Sequence, residues 1–185
     1  MASIDDVILV SPTRIPDSLL RGSEGKFAAP RGGGKSHQGI DIVANKSSED
    51  KEIYRVMATG SGVVAYSRIN GTEDTGYGFT VVIDHKNGFY TLYAHLAIHA
   101  SAGLAEVGQA VVAGATIGYL ADLVNGELSS GNARKVLPYD KIQLHFECFE
   151  AEPGLSSTGG LAQIFAGRTL DDPTNRLLGF GYQSF

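Results

Sequence analysis

Apolar residues in this chain fall in short runs that alternate with polar ones or are cut by glycine, and this pattern predicts β-strands. In IQLHFECF (142–149), Ile142, Leu144, Phe146 and Cys148 share one face of an extended strand, and Gln143, His145 and Glu147 share the other. In YTLYAHL (90–96), Leu92, Ala94 and Leu96 form the apolar set, so Thr91, Tyr93 and His95 are expected to point away from the core. The run IYRVMATGSGVVAY (53–66) reads as two strands around a Gly-Ser-Gly turn. FTVVIDHKNGFYTLYAHL (79–96) reads as two long strands joined at Asn87-Gly88, a pair suited to a type I′ turn because both central residues there need positive φ.

The remaining segments carry little periodicity. Residues 11–36 mix Pro, Gly and charge and read as an arm or loop leading into the first motif. Residues 122–140 (DLVNGELSSGNARKVLPYD) form a long polar connection before the strand at 142, and loops of that length often border a binding site. The tail, 151–185, holds one short helix candidate at LAQIFAG (161–167). No linker splits the chain, so a single domain over 1–185 is expected, with 1–26 as an N-terminal arm and 151–185 as a C-terminal extension.

Composition agrees with an all-β fold with long loops and at most short helices: 43% hydrophobic residues, 24 Gly, 8 Tyr, 8 Phe and no Trp. A net charge of -5 argues against nucleic acid or anionic membrane as main partners, since both are bound through clustered Lys and Arg. Cys148 is the only cysteine, which rules out an intrachain disulfide and a cysteine-rich metal site. The N-terminus MASIDDVILV lacks the positive charge of a secretory signal, and no run reaches the 18 or so apolar residues of a membrane span.

Any metal must therefore be held by His, Asp or Glu. Of the five histidines, His85 and His99 read as ordinary surface or satisfied histidines. His37 and Asp41 lie four positions apart in SHQGIDI, and an extended strand would hold them roughly 13 Å apart, too far to share one ion. Gly39 between them allows a bend. His37, Asp41 and His145 then give a two-histidine, one-carboxylate set with a position left for water, the pattern of a catalytic zinc site.

The strings HQGIDI, LYAHL and LHFE, in this order and with VGQAVVAGATIG between the last two, resemble the lysostaphin-type zinc endopeptidases that hydrolyse bacterial peptidoglycan. The resemblance covers roughly residues 27–150 and implies an antiparallel β-sheet groove of the duplicated hybrid motif type. By it, His37, Asp41 and His145 are ligands of one zinc ion and His95 is a catalytic histidine beside the metal. The family's His-x-His reads Gln143-Leu144-His145 here, so the position usually assigned to the general base is a glutamine. Glutamine donates and accepts hydrogen bonds but takes no proton near neutral pH. Glu147, one step beyond His145 on the same strand face, is a candidate base or a group that orients a ligand.

The resemblance implies a zinc metalloendopeptidase cutting stem peptides or cross-links of the cell wall. Gln143 keeps a second reading open, a zinc-binding but impaired relative that binds wall peptide or a regulatory partner. VGQAVVAGATIG also resembles the turns of biotinyl and lipoyl domains, but no Met-Lys or Asp-Lys carrier site follows it. The expected partners are peptidoglycan peptide and an inhibitory or immunity protein. The place of action is the periplasm or cell wall, reached by a non-classical route or after removal of a signal. Tyr93 and Tyr139 are expected to be packing or rim residues, and Cys148 a small buried hydrophobe.

Overall fold

The computed structural model describes residues 3–13, 19–20, 25–43, 54–72, 75–98, 103–121, 142–152, 161 and 166–184. The strand expected at 142–149 forms β11 (Gln143–Glu150) in the middle of the main sheet. On one side it pairs antiparallel with β8 (Phe89–Leu96), and the sheet continues through β7 (Thr75–Asp84) and β6 (Gly62–Thr72) to β9 (Ala110–Val111). On its other side β4 (Ile40–Val43) takes the first half of β11, and β12 (Thr169–Asp171) takes the second. Beyond β4 lies β1 (Leu19–Leu20), and β13 (Gln183–Ser184) joins it in parallel. Two small ladders complete the strands: β5 (Arg55–Met57) with β10 (Thr116–Tyr119), and β2 (Pro30–Arg31) with β3 (Lys35–Ser36). The sheet is curled, and the one α-helix bounded among the described residues is the short α1 (Thr174–Leu178). The all-β, antiparallel expectation holds. The 122–140 connection lies outside the described residues, as do residues 162–165 of LAQIFAG; Leu161 is helical and buried, and Ala166 and Gly167 lie in a turn.

The segment expected to be an arm contributes to the core. Val7 and Ile8 are fully buried among Ile40, Ile42, Val56, Leu144, Phe146 and Leu177. The opposite face of the central strands is also covered, by a second cluster around Tyr66, Val82, Tyr90, Leu92, Ala94 and Phe149. Gln143, His145 and Glu147 lie on this face and are buried. The alternation in β11 thus separates an apolar from a polar face, but neither meets bulk water. Buried polar groups are tolerable only when each finds a partner, and that requirement shapes the site.

In β8 the expected alternation is inverted. Directly paired residues share a face, and Ala94 lies opposite His145 and Leu92 opposite Glu147, so both sit on the polar face of β11. Tyr93 lies opposite Phe146 and packs in the main core, with ring centroids 5.3 Å apart. By parity His95 should follow Tyr93 into the core. Instead it takes φ +67°, and between the pairs Val81↔Tyr93 and Phe79↔Leu96 the β8 strand carries one residue more than β7. This is a β-bulge, and the extra residue turns His95 to the site while Leu96 enters the core. Leu96 keeps its predicted inward side; Leu92, Ala94, Thr91 and Tyr93 do not.

The hairpin between β7 and β8 forms as expected, with a different turn. Lys86 and Gly88 have positive φ, whereas Asn87 does not. Asn87 instead accepts the Phe89 N–H on its side-chain oxygen at 3.1 Å, and Asp84 accepts the Lys86 N–H at 2.7 Å. A buried polar chain runs beneath this turn. The Tyr93 hydroxyl accepts the Thr59 N–H at 2.8 Å and lies 3.0 Å from Thr91 Oγ1, which in turn lies 2.9 Å from His85 Nε2. His85 Nδ1 donates to the Ser61 carbonyl at 2.8 Å, so His85 is a satisfied structural histidine.

Tyr93→Phe leaves the Thr59 N–H without its acceptor and should lower stability by about 1–3 kcal/mol, seen as a lower urea midpoint at unchanged slope. An unshifted midpoint would show that this hydroxyl carries no net stabilisation. Burial pushes the His85 pKa below its usual value of 6.5 against the opposing pulls of the Ser61 carbonyl and Asp84. The unfolded chain therefore takes up that proton first, and the stability present above pH 6.5 declines as pH falls below it. Unfolding free energies from pH 7.5 to 5 should fall less steeply in His85→Gln than in the parent protein; equal slopes would assign the acid sensitivity elsewhere.

Candidate metal centre

The β4–β11 ladder sets Asp41 opposite His145, so both side chains leave the same face. The chain just before β4 passes very close to β11. A Cβ on Gly39 would lie 2.3 Å from the Phe146 carbonyl oxygen and 2.7 Å from Glu147 Cγ, so this approach requires glycine. His37 is held by backbone hydrogen bonds with Ala28 and Ala29, and from there it turns back over Asp41. Its Nε2 lies 3.3 Å from Asp41 Oδ1, in place of the wide separation an extended strand would impose.

Three donor atoms converge: His37 Nε2, Asp41 Oδ1 and His145 Nδ1 all lie within 4.8 Å of one another. His145 Nδ1 is 2.9 Å from His37 Nε2 and 3.1 Å from Asp41 Oδ1. Each imidazole has its other nitrogen fixed. His37 Nδ1 donates to the Lys26 carbonyl at 2.9 Å, which leaves the Nε2 lone pair facing the cluster. His145 Nε2 donates to Glu147 Oε1 at 2.9 Å, which directs Nδ1 inward. Burial opposes charge at both His145 and Asp41, but their mutual contacts prevail. The neighbouring His145 and His37 hold Asp41 well below the usual carboxylate range, and hydrogen bonds to Asp41 and Glu147 raise His145 to about 9. The site thus favours a carboxylate sharing a proton with imidazoles, and a divalent cation can replace that proton. Two imidazole nitrogens and one carboxylate oxygen, with both rings oriented by second partners, fit the donor set of catalytic zinc.

Glu147 is fully buried and bonded on both oxygens. Oε1 accepts from His145 and from the Tyr77 hydroxyl at 2.8 Å, and Oε2 accepts from Arg168 Nη1 at 2.6 Å. Burial alone would raise its pKa, but His145, Arg168 and Tyr77 outweigh it and lower it. So engaged, Glu147 is an orienting group for His145 rather than a base. Tyr77 stands beside the His145 ring at 5.0 Å and is also hydrogen-bonded to Gln38 Oε1 at 2.7 Å. Arg31 Nη2 lies 3.8 Å from Asp41 Oδ2.

His95 reaches the site through the bulge, its ring centroid 6.0 Å from that of His145. Burial, reinforced by the positive charge of His145, lowers its pKa to about 4, so the ring is neutral at physiological pH. It is hydrogen-bonded to the Tyr77 backbone. Gln143 is buried on the same strand face, two residues from His145. His37, Asp41, His95, Gln143, His145 and Glu147, the candidates singled out in the sequence, therefore share one region. His85 does not join them, Tyr93 and Cys148 are core residues, and His99 and Tyr139 lie outside the described residues. Sequence reasoning missed Tyr77, Arg31 and Arg168; Gln38 lay within the HQG string without being recognised as a contact.

The family model described as Peptidase family M23 matches residues 35–153, a span that includes His37, Asp41, His95, Gln143 and His145 and ends before Arg168. No curated protein sequence matches the chain. Among solved structures, the chain is similar to the catalytic domain of the antimicrobial peptidase lysostaphin from Staphylococcus simulans, with 21% identity over 87% of this chain and 92% of that one and a TM-score of 0.52. It is similar to the LytM protein of Ruminococcus gnavus ATCC 29149, with 22% identity over 80% of this chain and 49% of that one and a TM-score of 0.53. It is also similar to lysostaphin as solved by NMR, with 19% identity over 94% of this chain and 56% of that one and a TM-score of 0.57. The chain thus spans about half the length of the last two proteins. Identities this low establish a shared fold, whereas the family match covers well over half of the sequence: the chain belongs to peptidase family M23.

Proposed function

We propose that this protein is a zinc-dependent endopeptidase that hydrolyses stem peptides or cross-links of bacterial peptidoglycan, acting in the periplasm or cell wall. The observation that carries the reading is the convergence of His37 Nε2, Asp41 Oδ1 and His145 Nδ1, with the outer nitrogen of each imidazole fixed by a hydrogen bond so that the inner one faces the cluster. Membership of a peptidase family supports hydrolysis of a peptide bond. The lysostaphin likeness in fold is consistent with a wall substrate. A zinc ion held by the three residues supplies Lewis acidity toward the scissile carbonyl and toward water.

The chain's own residues divide the remaining tasks. The Tyr77 carbonyl can only accept, so the His95 nitrogen bonded to it carries the ring proton, and in a neutral imidazole the second nitrogen is then a lone pair. His95 is thereby suited to take a proton and later return it to the leaving amine. Gln143 can orient water or substrate through its amide but cannot share in proton transfer. One titratable histidine therefore does what a pair would otherwise divide.

Gln143 favours a second reading, a zinc-binding relative of weak or no activity that holds wall peptide. Incubating the protein with intact peptidoglycan and reading released muropeptides by mass spectrometry separates the two. The peptidase reading expects loss of cross-linked species that a zinc chelator abolishes. Unchanged muropeptides in a folded, zinc-loaded sample would instead establish the binding relative. Gln143→His adds a second group able to move a proton and should raise kcat by about 10²- to 10⁴-fold with little change in KM; an unchanged kcat would show that His95 carries proton transfer without need of help.

A further inference from the structure

Arg168 lies outside the residues matched by the family, yet it touches both segments that carry the candidate ligands. Pairing of β12 with β11 sets Leu170 opposite Phe149. Two residues back from Leu170, Arg168 falls on the same face as Phe149, Glu147 and His145. Its guanidinium carbon stands 5.0 Å above the Phe149 ring centroid. From there Nη1 donates to Glu147 Oε2 at 2.6 Å and Nη2 donates to Gln38 Oε1 at 2.9 Å. Glu147 holds His145, and Gln38 is the direct neighbour of His37. The fork therefore spans the two strands of chain whose alignment decides whether three donor atoms meet.

We propose that Arg168 is a positioning residue for the metal centre, clamping Gln38 to Glu147 so that His37 and His145 are held in the geometry that receives the ion. This rests on the zinc reading above. Glu147 is fully buried and the Arg168 side chain is only 5% exposed. A buried ion pair is a weak source of stability, because desolvation of both partners consumes most of their attraction. What the pair supplies is direction. A planar fork fixes two acceptors at once, which a lysine ammonium or an apolar side chain cannot do. Without it, Glu147 retains Tyr77 and His145 but loses the contact that prevents its carboxylate from rotating, and His145 loses a fixed partner for Nε2.

The test is a double-mutant cycle on zinc affinity, measured by competition with a chromogenic chelator, in the parent protein, Arg168→Met, Glu147→Gln and the double variant. Methionine keeps much of the stem that packs on Phe149 and removes the fork; Glu147→Gln keeps an oxygen for His145 Nε2 and removes the charge. Arg168→Met should weaken zinc binding by about 10- to 100-fold, as loss of an outer-shell partner does. In the Glu147→Gln background the same substitution should cost about threefold or less. An equal loss in both backgrounds, or no loss in either, overturns the proposal and leaves the zinc peptidase reading intact. The protection of the His145 Nε2–H resonance from solvent exchange is followed by NMR in the metal-free protein. It should persist in the parent and be lost in Arg168→Met. If the parent binds no zinc, the functional reading fails by itself, and the NMR comparison still decides the positioning role: unchanged protection in Arg168→Met, or none in the parent, overturns it.

Discussion

The register of β4 on β11 is the constraint from which the site follows. With Asp41 opposite His145, their side chains share a face, while Ile40, Ile42, Leu144 and Phe146 share the other. A slip by one residue would turn Asp41 into the apolar core and bring the isoleucines to the site, since the period of a strand is two. Each of those four side chains is fully buried, and burial of such a side chain contributes about 1.5–3 kcal/mol. The hydrophobic face thus fixes the position of the polar one. Gly39 extends the same logic one turn of chain earlier, because no larger residue would let the His37 segment lie against Phe146 and Glu147.

Packing the second cluster over the polar face is costly unless its groups are paired, and here the pairing is dense. His37 is bonded to Lys26, His145 to Glu147, and Glu147 to Tyr77 and Arg168. Every contact that satisfies a buried atom also fixes the direction of a neighbour, so polar satisfaction and preorganisation are here one arrangement. His95 stands apart from this scheme. It is placed by a bulge and a left-handed backbone, and its neutral ring is the product of burial beside a cationic partner.

What could be read in the sequence was whatever depends on local periodicity. The two faces of β11 and the bend at Gly39 follow from spacing within eight residues or fewer, whereas joining His145 to His37 and Asp41 rested on the family resemblance. The β8 strand shows the limit of that reasoning. Parity put His95 on the polar side for a reason that does not hold in the fold: Leu92 and Ala94 occupy the polar face, and an unforeseen extra residue delivers the histidine. No spacing rule announces a bulge in a strand with no glycine. The Asn87-Gly88 pair marked the hairpin correctly, but Asn87 acts through its side chain rather than through positive φ. Val7 and Ile8 were passed over because the short apolar run Val7-Ile8-Leu9-Val10, following Asp5 and Asp6, shows no alternation. Arg168 left no local signal at all, since its role depends on partners at positions 38 and 147.

Asp41 and His145 are separated by 104 positions, and the contact between Gln38 and Arg168 spans 130. Pairings this remote close long loops, and the entropy of closure must be surrendered before the contact contributes. During synthesis, the first two residues of the candidate trio, His37 and Asp41, leave the ribosome long before His145, and the Arg168 guanidinium follows later still. For most of its translation the nascent chain therefore carries only fragments of the candidate site, and the complete His37, Asp41 and His145 cluster appears only once β4 and β11 have found each other. The remoteness of the parts acts as a timer on when the candidate site can first be complete.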